Sequence, residues 1–148
     1  MEKVTKNLAE TKELAKEWLH SLSGPTAKLG RATIVGLVGD LGSAKTSFAQ
    51  GVAEALGVTD HVTSPTFILE RIYSLSVPSA KWKRLVHIDA YRLEGAEEIK
   101  HLGWKELAGD PSNLILVEWP ERIFDPLPPD MRILKFEFID ENTRKISF

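Results

Sequence analysis

The chain has no cysteine among its 148 residues, so it can build neither a disulfide framework nor a thiolate metal site. It also lacks an apolar run of membrane-spanning length; its longest are strand-sized. No apolar segment follows the opening Met1-Glu2-Lys3-Val4-Thr5-Lys6, so a secretory signal is not expected. These absences are compatible with a cytoplasmic protein. A basic excess is missing as well, the formal net charge being −2. That disfavours autonomous nucleic-acid binding, which needs a basic face to neutralise phosphates. The densest basic stretch, Lys81-Trp82-Lys83-Arg84, reads as a solvated loop edge rather than a docking site. His20, His61, His87 and His101 show no metal-ligand spacing and read as surface or core residues. Without repeats, low-complexity tracts or a linker, the chain is expected to form one domain with a core of its own.

The most informative segment present is Gly39-Asp40-Leu41-Gly42-Ser43-Ala44-Lys45-Thr46. It is a G-x-x-x-x-G-K-[ST] phosphate loop with alanine in place of the second glycine. An apolar, β-branched run over 32–38 precedes it and reads as a buried strand. Phe48, Ala49, Val52, Ala53 and Leu56 follow at helical spacing, with Gly57 as the stop. Strand, glycine-rich turn and helix together turn backbone N–H groups and a helix N-terminus towards an anion. The phosphate-binding candidates are Gly39, Asp40, Leu41, Gly42, Ser43, Ala44, Lys45, Thr46 and Ser47. Lys45 would reach the outer phosphates and the Thr46 hydroxyl would ligate Mg²⁺. A glycine-rich βα turn that binds nothing is the plainer reading, but a Lys-Thr pair opening a buried helix has no packing purpose. At position 44 a Cβ crowds the place where the backbone lies against phosphate, so Ala44 predicts weaker binding than glycine would give.

Other elements are legible at coarser grain. A first helix opens at Asn7, with Glu10 as capping-box partner and Leu8, Thr11, Ala15, Trp18 and Leu22 as its inner face. Strands are expected over 67–73, 84–88 and 113–117, and a short helix over 96–102 closes at Gly103. A terminal hairpin, with arms 132–138 and 143–148, turns through Asp140-Glu141-Asn142. The expected fold class is α/β: a P-loop NTPase-like three-layer α/β/α with a largely parallel sheet plus a C-terminal antiparallel hairpin.

Ligands of open α/β sheets bind beyond the carboxyl ends of the strands. Asp89 and Glu118 each end an apolar strand there, beside the phosphate loop. A magnesium–nucleotide needs a carboxylate for the ion or its waters and a group to orient an attacking water. Either carboxylate alone could merely cap a turn; two beside a phosphate loop favour the functional reading. Thr66, in Ser64-Pro65-Thr66, reads equally as a γ-phosphate switch hydroxyl and as a strand-entry turn set by Pro65. Trp18, Trp82 and Trp104 are expected to pack, whereas Trp119 follows Glu118 and is placed to do more. Tyr91-Arg92 could orient Asp89 or face a partner, and simple structural pairing serves equally well. The chain has no Asn/Thr-Lys-x-Asp or Asp-x-x-Gly motif, as a guanine-specific switch would. The 30 residues after Glu118 leave little room for the arginine-rich lid of a nucleotide kinase.

At this point the sequence resembles the TsaE family, also called YjeE. The resemblance rests on the phosphate loop, Ser64-Pro65-Thr66-Phe67, His87-Ile88-Asp89-Ala90-Tyr91-Arg92-Leu93, Leu102-Gly103 and Val117-Glu118-Trp119-Pro120-Glu121, in order and spacing over almost the whole chain. It implies a small Mg²⁺-dependent ATPase, binding ATP and ADP, needed for threonylcarbamoyladenosine at position 37 of tRNAs that read ANN codons. It also implies TsaB and TsaD as partners, with the carbamoyl transfer belonging to TsaD and tRNA met only through the complex. By the same resemblance Lys45 and Thr46 bind phosphate and Mg²⁺, and Asp89 and Glu118 serve the metal and the hydrolytic water. Thr66 falls in a switch loop, and Thr11 matches a threonine near the nucleotide. Ala44, Ser43 and Ala90 depart from the family pattern. Two classes of function follow: an ATPase that resets a tRNA-modifying complex, or a nucleotide-gated binding protein with little turnover.

Overall fold

The computed structural model describes residues 1–22, 30–40, 44–59, 70–75, 81–91, 93, 98, 102–123, 127–128 and 131–148. Their strands form one seven-stranded sheet. In chain order the elements are β1 (Glu2–Thr5), α1 (Leu8–Ser21), β2 (Thr33–Gly39), α2 (Lys45–Ala55), β3 (Glu70–Ser74) and β4 (Arg84–Asp89). They continue with α3 (Trp104–Ala108), β5 (Asn113–Glu118), a 3-10 turn (Pro120–Arg122), β6 (Arg132–Phe138) and β7 (Arg144–Ser147). Across the sheet the order is β1-β7-β6-β2-β5-β4-β3. The four central strands β6, β2, β5 and β4 run parallel. Antiparallel pairs flank them on both sides: β6–β7 and β7–β1 at one edge, β3–β4 at the other. The parallel core and the terminal hairpin agree with the sequence reading. The antiparallel β3 and the edge strand β1 were not foreseen.

Helix α1 starts as the capping pattern predicts. The Asn7 side chain accepts from Glu10 N at 2.8 Å, which satisfies one of the orphan amides of the first turn. The Glu10 carboxylate accepts from Lys6 N at 2.6 Å, one residue earlier than a standard box. Its inner face is Thr11, Leu14, Ala15, Trp18 and Leu19. Leu8, expected on that face, is 57% exposed: it sits at the first helical position, before the stripe turns inward.

Side-chain alternation divides the core into two layers. On one face Val35, Leu37, Leu85, Leu114, Leu116, Leu134 and Phe136 pack beneath α1 and α2. On the other, Ile34, Val86, Ile88, Ile115 and Val117 pack with Trp104 of α3 and Ile123. Phe48 joins the first layer, with Trp18 and Phe136 edge-on at 5.4 Å each, and such a burial contributes roughly 2–3 kcal/mol. The two helices approach closely at Gly51, where an added Cβ would lie 2.7 Å from Lys12 O and 2.8 Å from the Ala15 Cβ.

Gly103 does more than the helix stop expected of it. At φ 72° it opens α3 instead of only closing a helix. Of the helix expected over 96–102, only Glu98 and Leu102 are described, and Leu102 N donates to Glu98 O at 3.2 Å. The basic stretch at 81–84 is tied down rather than free for docking. Lys81 donates to Leu22 O at 2.7 Å, Trp82 is buried, and Arg84 pairs with Asp110 and donates to Asn113 at 2.8 Å.

Candidate functional site

Strand register places the site. Asp89 of β4 pairs with Glu118 of β5, and Glu118 is level with Leu37 of β2, two residues before Gly39. All three strand ends therefore reach the same carboxyl edge. Alternation then fixes the direction of the side chains. Asp89 shares the face of Leu85, and Glu118 that of Leu114 and Leu116, which is the face covered by α2. Both carboxylates thus point to the side on which α2 begins with Lys45. The strand ends are joined by Ala90 N donating to Glu118 O at 2.9 Å and Trp119 N to Leu37 O at 3.3 Å.

Lys45 is 5% exposed. Its ammonium donates to the Asp40 carbonyl at 2.8 Å and to the Gly39 carbonyl. It also lies 4.9 Å from the centre of the Trp119 ring, a cation–π contact. Burial lowers its pKa, and the carboxylates of Glu118, Asp89, Asp40 and Glu121 counter that shift. Asp89 is affected in the opposite sense. Burial raises its pKa with help from Glu118, while the Tyr91 backbone N–H, donating to Oδ1 at 3.0 Å, His87 and Lys45 lower it. Glu118 is buried, and its Oε2 lies 2.7 Å from Nε2 of His87.

Two described non-glycine residues adopt a left-handed backbone, and both border this cluster. Ala44, at φ 76° and ψ 20°, precedes α2 with no side-chain cap. Trp119, at φ 59° and ψ 53°, follows Glu118. Its ring meets Tyr91 at 4.9 Å between centroids, and the Arg122 guanidinium lies 5.3 Å from the Tyr91 ring.

The structure thus brings together Gly39, Asp40, Ala44, Lys45, Asp89 and Glu118. Thr46 and Ser47 lie half-buried in the first turn of α2. Leu41, Gly42, Ser43 and Thr66 lie outside the described residues, as does Arg92. Thr11 is fully buried between β1 and α1, where its hydroxyl meets Thr5 Oγ1 at 2.8 Å and donates to Asn7 O at 3.3 Å. Sequence reasoning missed His87 as a site residue. The available signal was its place two residues before Asp89 on a strand, which puts both on one face.

The donor set suits an anion and a hard cation. A buried ammonium stands beside a helix N-terminus, with two carboxylates and a threonine hydroxyl nearby. Among the described residues no group of three or more His, Asp or Glu forms a metal cage.

Comparison with known proteins gives one consistent result. The family described as threonylcarbamoyl adenosine biosynthesis protein TsaE matches residues 5–146. A protein of Rickettsia felis named tRNA threonylcarbamoyladenosine biosynthesis protein TsaE is 37% identical over 97% of this chain and 77% of its own. Its namesake in Bacillus subtilis is 36% identical over 97% of this chain and 82% of its own. The crystal structure of Bacillus subtilis YdiB superimposes with a TM-score of 0.69, covering 99% of this chain and 82% of that one at 28% identity. A match over nearly the full chain, on a P-loop fold whose strand ends converge on Lys45, places this protein in the TsaE family of threonylcarbamoyladenosine biosynthesis proteins.

Proposed function

We propose that the chain is a single P-loop ATPase domain over residues 1–148, the ATP-binding and ATP-hydrolysing component of the machinery that makes threonylcarbamoyladenosine at position 37 of tRNA. It acts with TsaB and TsaD in the cytoplasm and meets tRNA only through them. The observation that carries this reading is the buried Lys45 ammonium under the joint influence of Asp89 and Glu118 at the end of the phosphate loop. An ammonium kept dry at a helix N-terminus favours a polyanion as its partner.

When bound, Mg²⁺–ATP supplies a terminal phosphoryl group for transfer to water. Lys45 would exchange its loop carbonyls for phosphate oxygens, and phosphate-loop amides and the hydroxyls of Thr46 and Ser47 would be further donors to the phosphates. Thr46, Asp89 and Glu118 hold the cation or its waters, and the carboxylates orient the hydrolytic water. Thr66 reads the terminal phosphate as a switch, and Thr11 steadies the first helix near the nucleotide. Trp119 shields Lys45 from bulk water on its ring side.

The output of such a domain is conformational: a partner senses the nucleotide state. Phosphate release should therefore be negligible in isolation and clearly stimulated by TsaB plus TsaD. Isolated protein should bind tRNA weakly and without preference at physiological salt. Tight binding selective for tRNAs that read ANN codons would replace the switch with direct substrate recognition. Ala44 in its left-handed conformation favours a second reading, a nucleotide-gated assembly protein with little turnover. That reading wins if nucleotide drives complex formation while phosphate release by the full complex stays at the level of the free chain.

A further inference from the structure

His87 is the buried polar group for which the roles above give no account. It is 1% exposed, in a strand otherwise filled with Leu85, Val86 and Ile88. Nε2 lies 2.7 Å from Glu118 Oε2, whereas Nδ1 is buried without a hydrogen-bond partner among the described residues. A ring protonated only at Nδ1 would set a lone pair against the carboxylate. Nε2 is therefore the nitrogen that donates to Glu118. Packing alone does not call for such a ring, since an apolar side chain would fill the space without stranding Nδ1.

The geometry points to His87 as a positioning residue that holds one oxygen of the Glu118 carboxylate, so that this carboxylate meets cation and water in a single orientation. The register supports that role. Asp89↔Glu118 is the terminal pair of β4 and β5, and His87 lies on the Asp89 face one alternation deeper. Asp89 is held separately by the Tyr91 backbone N–H. Each strand-end carboxylate thus has its own donor. Partners of this kind are typically worth about 10- to 100-fold in metal affinity or activity.

This inference rests on the proposed hydrolytic role of Glu118, so its test has two independent arms. Nitrogen-15 NMR of labelled histidine in the free protein should show a slowly exchanging His87 Nε2–H. That proton signal should vanish in Glu118→Ala. A ring protonated at Nδ1 alone, or an Nε2–H unaffected by Glu118→Ala, overturns the inference whatever the turnover. In the kinetic arm, with TsaB and TsaD present, His87→Leu should lower kcat about 10- to 100-fold. Nucleotide Kd should stay within about twofold, and His87→Gln, which restores a donor, should recover most of the loss. The double variant His87→Leu/Glu118→Ala should be no slower than Glu118→Ala alone, because His87 acts through that carboxylate. Multiplying effects, or full turnover in His87→Leu, overturn it. If the natural protein does not turn over with its partners, the hydrolytic reading fails by itself. The NMR arm then decides the role of His87.

Discussion

Ala44→Gly separates two effects of the missing glycine. The first is conformational. Ala44 sits at φ 76°, ψ 20° immediately before α2, where an L-residue with a Cβ is disfavoured by roughly 1–2 kcal/mol. Glycine removes that strain but adds freedom to the unfolded chain, which costs about 0.4–1 kcal/mol. The net expectation is a gain of about 0.5–1 kcal/mol. At this chain length that raises Tm by about 1–4 °C, measured by calorimetry without nucleotide. The second effect is contact. If the Cβ also crowds phosphate, glycine should tighten Mg²⁺–ATP in a titration, and relief of backbone strain alone would not, since strain common to both states cancels. Ala44→Asn tells the two apart. Asparagine tolerates the left-handed region yet keeps its Cβ, so it should raise Tm without tightening ATP. A lower Tm for the glycine variant would refute the strain argument. Equal or weaker ATP affinity for that variant would refute the crowding argument.

Further outcomes are expected elsewhere in the chain. Lys45→Ala should weaken ATP about 10- to 100-fold in the same titration, the loss of a charge-assisted contact of roughly 1.5–3 kcal/mol. Asp89→Ala and Glu118→Ala should each cut phosphate release by the assembled complex on the order of 10²-fold, with a smaller loss of binding. Full turnover in either variant would reduce that carboxylate to a turn or helix cap. Gly51→Ala should lower Tm by about 3–10 °C, because its Cβ would press on the Lys12 backbone and force α1 from α2. Asp89→Asn should raise the Tm of the free protein at pH 7. Burial raises the Asp89 pKa, so its charge destabilises the fold fully above the folded-state value. As pH falls through that value towards the ordinary 3.8, wild type and variant should converge.

What the sequence revealed depended on whether the signal was local. Phe48, Ala49, Val52, Ala53 and Leu56 announced α2 by spacing, and all are 6% exposed or less. Arg84–Asp89 and Asn113–Glu118 were visible because strands buried on both faces are uniformly apolar. The β1 strand was not: Glu2–Thr5 has one buried residue of four and is a strand only because β7 pairs with it. The direction of β3 was hidden for the same reason, since antiparallel pairing to β4 is a property of the path between them. Gly103 was ambiguous in principle, because a left-handed glycine suits a helix start as well as a stop. At the site, Lys45, Asp89 and Glu118 were legible from motif and strand-end position. His87 was not, because a histidine in an apolar strand looks like core until its partner across the sheet is known.

The same site stands out on stability grounds alone, without any motif. Several features of the described chain work against stability, and they cluster. Ala44 and Trp119 hold left-handed backbones, Lys45 is buried as an ammonium, and Asp89 is buried as a carboxylate near a second one. His87 leaves a ring nitrogen without a partner. Each departs from the arrangement that packing alone would favour, and all lie on or beside the carboxyl ends of β2, β4 and β5. The remainder of those strands obeys the ordinary rules, with alternating layers of Leu, Ile and Val. Strain gathered at one sheet edge, among described residues that mostly pack consistently, is the physical signature of a site kept for function. The stabilising variants predicted here, Ala44→Gly and Asp89→Asn, test that view from opposite sides. Glycine should relieve strain and improve nucleotide binding, because alanine is a departure from the loop's own requirement. Asparagine should stabilise the free fold and impair turnover, because the buried charge is what the site uses.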